Sequence, residues 1–336
     1  MPTKRATIYE VADRAGVSHQ TVSRYLRHHG DGLKPTTLAR VETAIAELNY
    51  RPNRIARSMR TRQTGRLALL LPGAIQFLPL RLLTAAAAVA HEAGFVVDLV
   101  ALEGDAATRS ERARELTDSG EFEGILALAS WGPEPGDDSP TAVVTVGDYD
   151  ENMRGIGALA DARACGDVVR HLAALGHRSL LHLSGDLTFT SARNRRRTFL
   201  DTVTELGLRG QVIDADWRAE TAYRAVRELP GDSDVTAIVA ANDKVAMGAV
   251  RGCLHRGWRV PDDVSVFGWD DEELGRYATP ALSTVTIDLE RQGGQAMRRL
   301  LALVRGEEPP EPETSSLHTL IPRESSGPAP RPPRDG

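Results

Sequence analysis

The chain has 336 residues, of which 41% are hydrophobic and 26% charged, with a formal net charge of -5 at pH 7. That length allows two or three folded units at about 100 to 200 residues each, and no apolar run approaches the roughly 18 residues that span a bilayer, which excludes membrane integration. Two cysteines, Cys165 and Cys253, are too few for a disulfide framework, and residues 1–18 hold no apolar signal core, so a reducing cytoplasm is the expected compartment.

The total charge hides an asymmetry. Residues 1–66 carry 13 Lys or Arg against 5 Asp or Glu, a balance of +8, whereas the remaining 270 carry 28 against 41, a balance of -13. A basic head attracts polyanions by neutralising phosphates and releasing their counterions, and an acidic body avoids that association. A solvated charged arm would show the same balance, so the head has to be read from its pattern.

Thr7-Ile8-Tyr9-Glu10 fits a capping box, in which hydroxyl and carboxylate satisfy backbone donors at a helix start. It predicts a first helix from about Ile8 to Arg14. Ala15-Gly16-Val17 then supplies a tight turn, and Ser18 caps a second helix from His19 to about Leu26. Val11, Val22 and Leu26 can pack between the two, which leaves His19, Gln20, Ser23 and Arg24 on the outer face. Gln pairs with adenine edges and Arg with guanine edges, while Thr21 and Ser23 can bond phosphates. A third helix, Pro35 to about Asn49, carries Leu38, Val41, Ile45 and Leu48 at helical spacing. The three form a small all-α helix-turn-helix head over residues 1–50. Arg51 to Arg60 holds four arginines and too little apolar surface for a core of its own, so it orders on binding a partner.

These segments, TIYEVADRAGVSHQTVSRYL and VETAIAELNYRPNRIARSM, resemble the lactose and galactose repressor (LacI/GalR) family, and the layout downstream continues the resemblance over nearly the whole chain except the tail. The resemblance implies a DNA-facing set of Thr7, Ser18, His19, Gln20, Thr21, Ser23 and Arg24. It also implies a hinge helix within residues 51–65 that enters the minor groove through Asn53, Arg54 and Ala56. Met59 takes the position of the apolar wedge, which unstacks a base step and gains a bent duplex with more contacts. Leu is usual there, and Met is the departure.

From Arg66 onward, short apolar runs alternate with helical patterns, as in parallel sheets covered by helices. Leu67–Leu71, Phe95–Ala101, Ile125–Ala129 and Val143–Val146 read as strands, with helices at Leu80–Ala93 and Arg109–Ser119. Asp161–Leu175 and Ala192–Leu206 read as helices, with strands at Leu180–Ser184, Ala237–Ala241 and Val264–Gly268. Ser283–Ile287 crosses back and feeds a helix over Leu289–Val304, and Leu317–Ile321 forms a last strand. The expected architecture is an α/β two-lobed body resembling periplasmic sugar-binding proteins, over residues 66–322. Lobe 1 takes about 66–160 and 288–322, and lobe 2 about 161–287. Residues 323–336, rich in proline, are expected to be a disordered tail.

Ligands in such sheets bind at strand ends, where four polar clusters stand. Ser191-Ala192-Arg193 opens a helix, Asp216-Trp217 sits in a loop, Asn242-Asp243 ends one strand and Trp269-Asp270-Asp271 another. A guanidinium fork, an aromatic face, an amide and a carboxylate suit a pyranose with vicinal hydroxyls. Each cluster alone has a plain explanation as a cap, a surface charge or core. Together they match the family's effector motifs, and the resemblance implies that Arg193, Trp217, Asn242 and Asp270 touch a sugar, on the galactoside-responsive branch. Asp148 is a shifted substitute for an expected aspartate, Leu289 replaces an expected aromatic, and Gln76, Phe77 and Pro79 would face the ligand from a first-lobe loop.

No catalytic constellation, metal site or cofactor motif competes: the histidines are scattered, and no Walker loop, GxSxG or CxxC occurs. The reading is a sequence-specific transcriptional repressor of sugar-utilisation genes, not an enzyme. Its partners are double-stranded DNA with a pseudo-palindromic operator, a small sugar effector and a second copy of the chain. No leucine heptad of the kind that joins dimers into tetramers is present. Control by a protein partner or another small molecule, or a solute-binding protein, are the alternatives.

Overall fold

The computed structural model describes residues 6–28, 32–50, 64–72, 79–131, 139, 141–311, 313 and 315–330, in two units that divide at Thr64 and Gly65. The hinge residues Asn53, Arg54, Ala56 and Met59, and Gln76 and Phe77 of the first-lobe loop, lie outside the described residues.

The first unit holds α1 (Ile8–Ala15), α2 (His19–His28) and α3 (Pro35–Glu47). The capping box forms as the sequence predicts. Thr7 Oγ1 accepts from the Glu10 amide at 3.3 Å, and Glu10 Oε2 accepts from the Thr7 amide at 2.6 Å. Helix α1 stops at Gly16, whose φ of +61° is a conformation that a residue without Cβ adopts freely. Ser18 Oγ then accepts from the Thr21 amide at 3.2 Å and starts α2. Val11, Ala12, Ala15, Val22, Val41 and Ala44 form the buried core, with Leu26, Ile45 and Leu48 packed against it. Such a core joins the three helices from sequence-distant apolar positions.

The second unit begins with β1 (Arg66–Pro72), α4 (Leu80–Glu92), β2 (Val96–Leu102), α5 (Ala106–Asp118), β3 (Gly124–Ala129) and β4 (Ala142–Tyr149). These strands form one parallel sheet in the order β2-β1-β3-β4, with Leu67 opposite Val97 on one side and Gly124 on the other. A second parallel sheet, ordered β6-β5-β7-β8, uses β5 (Ser179–Ser184), β6 (Arg209–Asp214), β7 (Ala237–Ala240) and β8 (Ser265–Phe267). Its helices are α6 (Arg163–Ala174), α7 (Thr190–Glu205), α8 (Ala219–Arg227), α9 (Asp243–His255) and the single turn α10 (Glu273–Arg276). Strands β1, β3 and β5 are buried almost throughout and read as unbroken apolar runs because helices cover both faces.

After β8 the chain forms β9 (Thr284–Ile287), then α11 (Leu289–Val304), then β10 (His318–Ile321), which pairs antiparallel with β9. Helix α11 returns to the first lobe, where Met297, Leu300 and Leu301 join Leu82, Leu83 and Ala86 of α4 in one core. The chain therefore crosses between lobes three times: after β4, between β9 and α11, and at β10. Neither lobe is a continuous stretch.

One expectation holds with its neighbours now defined, and one needs correction. Asp216-Trp217 lies in a loop as read, between strand β6 and helix α8. Strand β6 is a polar edge with exposed Arg209, Gly210 and Gln211, so it lacks the apolar signal of its neighbours. The stretch after Pro322 is not disordered as far as Pro330. Ser325 is fully buried, its backbone oxygen accepts from the Val266 amide at 2.7 Å, and the Ala329 amide donates to the Leu175 oxygen at 2.9 Å. Ser and Gly side chains add little apolar pattern, and this segment is held by long-range hydrogen bonds instead.

Candidate functional site

In the head, α2 leaves His19, Gln20 and Arg24 exposed and Ser23 half-buried, while Val22 on the opposite side has no exposed surface. The His19 ring lies 5.2 Å from that of Tyr9, so one end of the exposed face is steadied by α1. Thr7 and Ser18 are occupied as helix caps, and Thr21 shares a hydroxyl contact of 3.0 Å with Ser18.

In the body, a cavity of about 430 Å³ opens between the lobes at the carboxyl ends of the strands, in the size range of ligand pockets. The second lobe contributes Phe189, Ser191, Arg195, Trp217, Asn242 and Asp270. The first lobe and the crossings contribute Pro79, Leu80, Tyr149, Met153, Arg154 and Leu289, among others. Pro79, Trp217, Asn242, Asp270 and Leu289 are thus brought together as expected positions of one cavity.

Arg193 and Asp148 do not line it. Arg193 is exposed and turns back on its own loop, donating to the oxygens of Leu187 at 2.6 Å and Thr188 at 2.9 Å. The guanidinium in the cavity belongs to Arg195, two residues further along α7. At about 100° per residue, positions two apart in a helix face nearly opposite ways, whereas Ser191 and Arg195, four apart, share a face. Asp148 instead accepts from Gln292 Nε2 at 2.6 Å and from the Ala158 amide at 2.8 Å, tying β4 to α11. Tyr149 is the β4 side chain in the cavity, since adjacent strand residues point to opposite faces.

Arg195 is buried, donates to the Ala241 oxygen, and lies 4.0 Å above the Trp269 ring, so a cation-π contact replaces part of its lost hydration. Asn242 Oδ1 accepts from the Val245 amide at 2.8 Å and caps α9, so the capping explanation and the cavity position hold for the same residue. The Trp217 indole stands edge-on to Phe189, with ring centres 5.4 Å apart. It packs so closely over Gly185 that any Cβ there would overlap the ring. Arg154 of the first-lobe side lies 5.0 Å over the Phe189 ring of the second.

Six described non-glycine residues have positive φ, and five flank this cleft: Met153, Asp216, Trp217, Asp270 and Asp271. Such conformations persist only where surroundings over-determine them, and they gather at functional sites. Sequence reading misses Arg195, Tyr149, Met153 and Arg154. The i, i+4 spacing of Ser191 and Arg195 was the signal available for the first.

Burial pushes the Asp270 carboxyl up to about 7 despite the opposing charge of Arg195, and Asp243 behind it up to about 6. Both folded values exceed the unfolded one, so the stability they contribute is full below about pH 4 and is lost as pH rises through 6 and 7. Asp270→Asn protein is therefore expected to gain on the wild type by about 2 kcal/mol between pH 5 and pH 8, measured by urea unfolding. A pH-independent difference would remove this assignment.

Among the described residues no group of three or more His, Cys, Asp or Glu could hold a metal ion, and no helix is long and apolar enough to cross a membrane. His182 is buried with Nδ1 2.8 Å from the Val239 oxygen, and burial pulls it down to about 4; it is a neutral core residue.

Residues 7–53 match the pattern of "Bacterial regulatory proteins, lacI family", and residues 169–326 match "Periplasmic binding protein-like domain". The lactose operon repressor of Escherichia coli (strain K12) is 30% identical over 319 residues, covering 90% of this chain and 86% of that protein. The chain belongs to the lacI family. This LacI-family chain is a transcriptional repressor, and its relatives carry that description rather than an enzymatic one. The repressor PurR of Erwinia tasmaniensis is 29% identical over 349 residues, covering 95% of this chain and 96% of that protein. The solved lac repressor dimer bound to operator and the anti-inducer ONPF is similar at 26% identity and a TM-score of 0.67, over 96% of this chain and all of that one. The CelR–cellobiose complex is similar at 26% identity and a TM-score of 0.57, again over 96% of this chain and all of that one.

Proposed function

We propose that this LacI-family repressor works in the cytoplasm as a homodimer on a pseudo-palindromic operator, and that a small sugar, in the first instance a galactoside, releases it. The observation that carries the reading is the cavity itself. One aromatic face, Trp217, stands beside a guanidinium, an amide and a carboxylate, those of Arg195, Asn242 and Asp270. Aromatic faces stack on the apolar side of a pyranose, while planar polar groups engage vicinal hydroxyls two at a time. No protein donor within the described residues occupies the Asp270 carboxylate, so it is available to ligand hydroxyls. Kinship with the lac repressor supports a galactoside, and kinship with the CelR–cellobiose complex makes cellobiose the comparison sugar.

On the DNA side, the exposed His19, Gln20 and Arg24 supply base-edge donors and acceptors. Leu274 and Tyr277 of the second lobe are 80% and 78% exposed, which suits burial against a second copy. A ligand acts on DNA affinity only through unequal binding to two states, with couplings of about 1 to 3 kcal/mol typical.

The test is fluorescence anisotropy on labelled DNA from upstream of its own gene, at fixed salt, with galactosides and cellobiose added in turn. Tight binding relieved by a galactoside, about 5- to 150-fold in affinity, is the expected result. Relief by cellobiose alone would replace the galactoside, and binding unaffected by every sugar would overturn the sugar reading.

A further inference from the structure

Asp270 stands beside Asp271, and the two carry φ values of +105° and +53°. Their backbone is pinned at successive amides. Asp270 donates to the Val285 oxygen at 2.8 Å, Asp271 to Thr284 Oγ1 at 3.3 Å, and Glu272 to Asp243 Oδ2 at 2.7 Å. The Asp271 side chain is only 6% exposed and accepts from two arginines, Arg276 at 2.8 Å and Arg323 at 2.5 Å. Arg276 is local, one turn away and largely exposed. Arg323 arrives from the far end of the chain.

Arg323 is itself well held. Its side chain is 16% exposed, and its Nη1 donates to the Leu282 oxygen at 2.9 Å. Its amide donates to Ser283 Oγ at 2.8 Å. Two residues on, Ser325 Oγ accepts from the Ser283 amide at 2.8 Å and donates to the Val266 oxygen at 2.7 Å. The same segment continues to Gly327, whose oxygen meets His177 Nε2 at 3.0 Å. A strap fastened to the β8 edge thus delivers one guanidinium to the carboxylate beside Asp270.

We propose that Arg323 is a positioning residue for effector binding: through its ion pair with Asp271 it holds the strained Asp270–Asp271 pair so that the Asp270 carboxylate faces the cavity. The inference rests on the effector reading above for its ligand. Left-handed backbone at two consecutive aspartates is unfavourable on its own and lasts while its surroundings enforce it. Without Arg323, Asp271 keeps only an exposed partner, and the pair relaxes toward ordinary φ, which swings Asp270 off the ligand. A fold prop would act differently: its loss would lower stability and leave the local geometry of the surviving folded protein unchanged.

The test compares Arg323→Gln, Arg323→Lys, Asp271→Asn, the double variant Arg323→Gln with Asp271→Asn, and Ser325→Ala, which loosens the strap without touching Asp271. Two readouts are taken on the full chain: affinity for methyl β-D-galactoside, and amide exchange at Asp270, Asp271 and Glu272. Arg323→Gln and Asp271→Asn are each expected to weaken the galactoside about tenfold and to speed exchange at those three amides at least tenfold. The double variant should be no worse than either single one, and Arg323→Lys should recover part of the loss. Ser325→Ala should lower the unfolding midpoint with affinity within twofold of wild type. Equal losses of affinity in Ser325→Ala and Arg323→Gln, tracking stability, would overturn the inference, as would unchanged exchange in Arg323→Gln. If the wild type binds no galactoside, the effector reading fails and the exchange measurement alone decides: fast exchange confined to those three amides upholds the positioning role, and its absence ends it.

Discussion

Asp270→Ala protein is expected to bind its operator with wild-type affinity and to require about 100-fold more galactoside to leave it. The carboxylate lines the cavity and has no protein donor among the described residues, so ligand hydroxyls are the natural partners of its two oxygens. At pH 8, where the carboxyl that titrates near 7 is ionised, hydrogen bonds to the charged group contribute about 1.5 to 3 kcal/mol each, which puts the loss of one or two at about two orders of magnitude. Removing the charge also leaves Arg195 buried without its nearby counter-charge. Thermal unfolding of the variant therefore has to accompany the anisotropy titration, so that a fall in stability is separated from a fall in affinity. Release at wild-type galactoside concentrations would show that the sugar does not use Asp270. Lost operator binding with an intact unfolding midpoint would show that Asp270 acts on the DNA-bound state instead.

The second large effect is on stability. Gly248 of α9 lies so close to the backbone of Ala219, at the start of α8, that an added Cβ would overlap the carbonyl group. Backbone has no rotamer to yield, so the two helices must separate along a contact that buries Ala222, Val226, Val245 and Ala249. Gly248→Ala is expected to cost about 3 kcal/mol, the upper end of ordinary overpacking, measured as a shift in the urea midpoint at constant slope. Gly231→Ala is the control, because nothing lies within 4 Å of a Cβ there, and its effect should stay within about 0.5 kcal/mol. Ala219 follows Trp217 and Arg218 directly, so the displaced helix start also moves the indole. An unchanged midpoint in Gly248→Ala would mean that α8 yields freely.

Much of this architecture is legible in the sequence because it rests on local signals. The run Leu67–Leu71 and the Thr7–Glu10 box each announce their element within a few residues, and Leu289–Val304 is read with the bounds it has. The site is legible as a neighbourhood, since strand ends in such sheets converge. Which side chain enters it depends on the phase of each element. Arg193 in place of Arg195 is a helical phase error, and Asp148 in place of Tyr149 is a strand phase error. The seating of Arg323 through Ser325 was invisible for a different reason: its partners Asp271, Ser283 and Val266 lie 40 or more residues away, and hydrogen bonds over such separations leave no periodic trace.

The three crossings between lobes bear on how proteins of this build can be recombined. Exchange at a single junction between two relatives never transfers a whole lobe, because α11 of the first lobe lies in the chain between β9 and the strap at 323–327 that fastens to the second. A swap after β4 alone leaves α4 of one parent packed against α11 of the other, along a seam where Gly293 meets the Leu82 backbone. Exchanges with two breakpoints, one before α6 and one after β9, keep that seam intact. In a gene library built from such relatives, the functional hybrids should carry paired junctions.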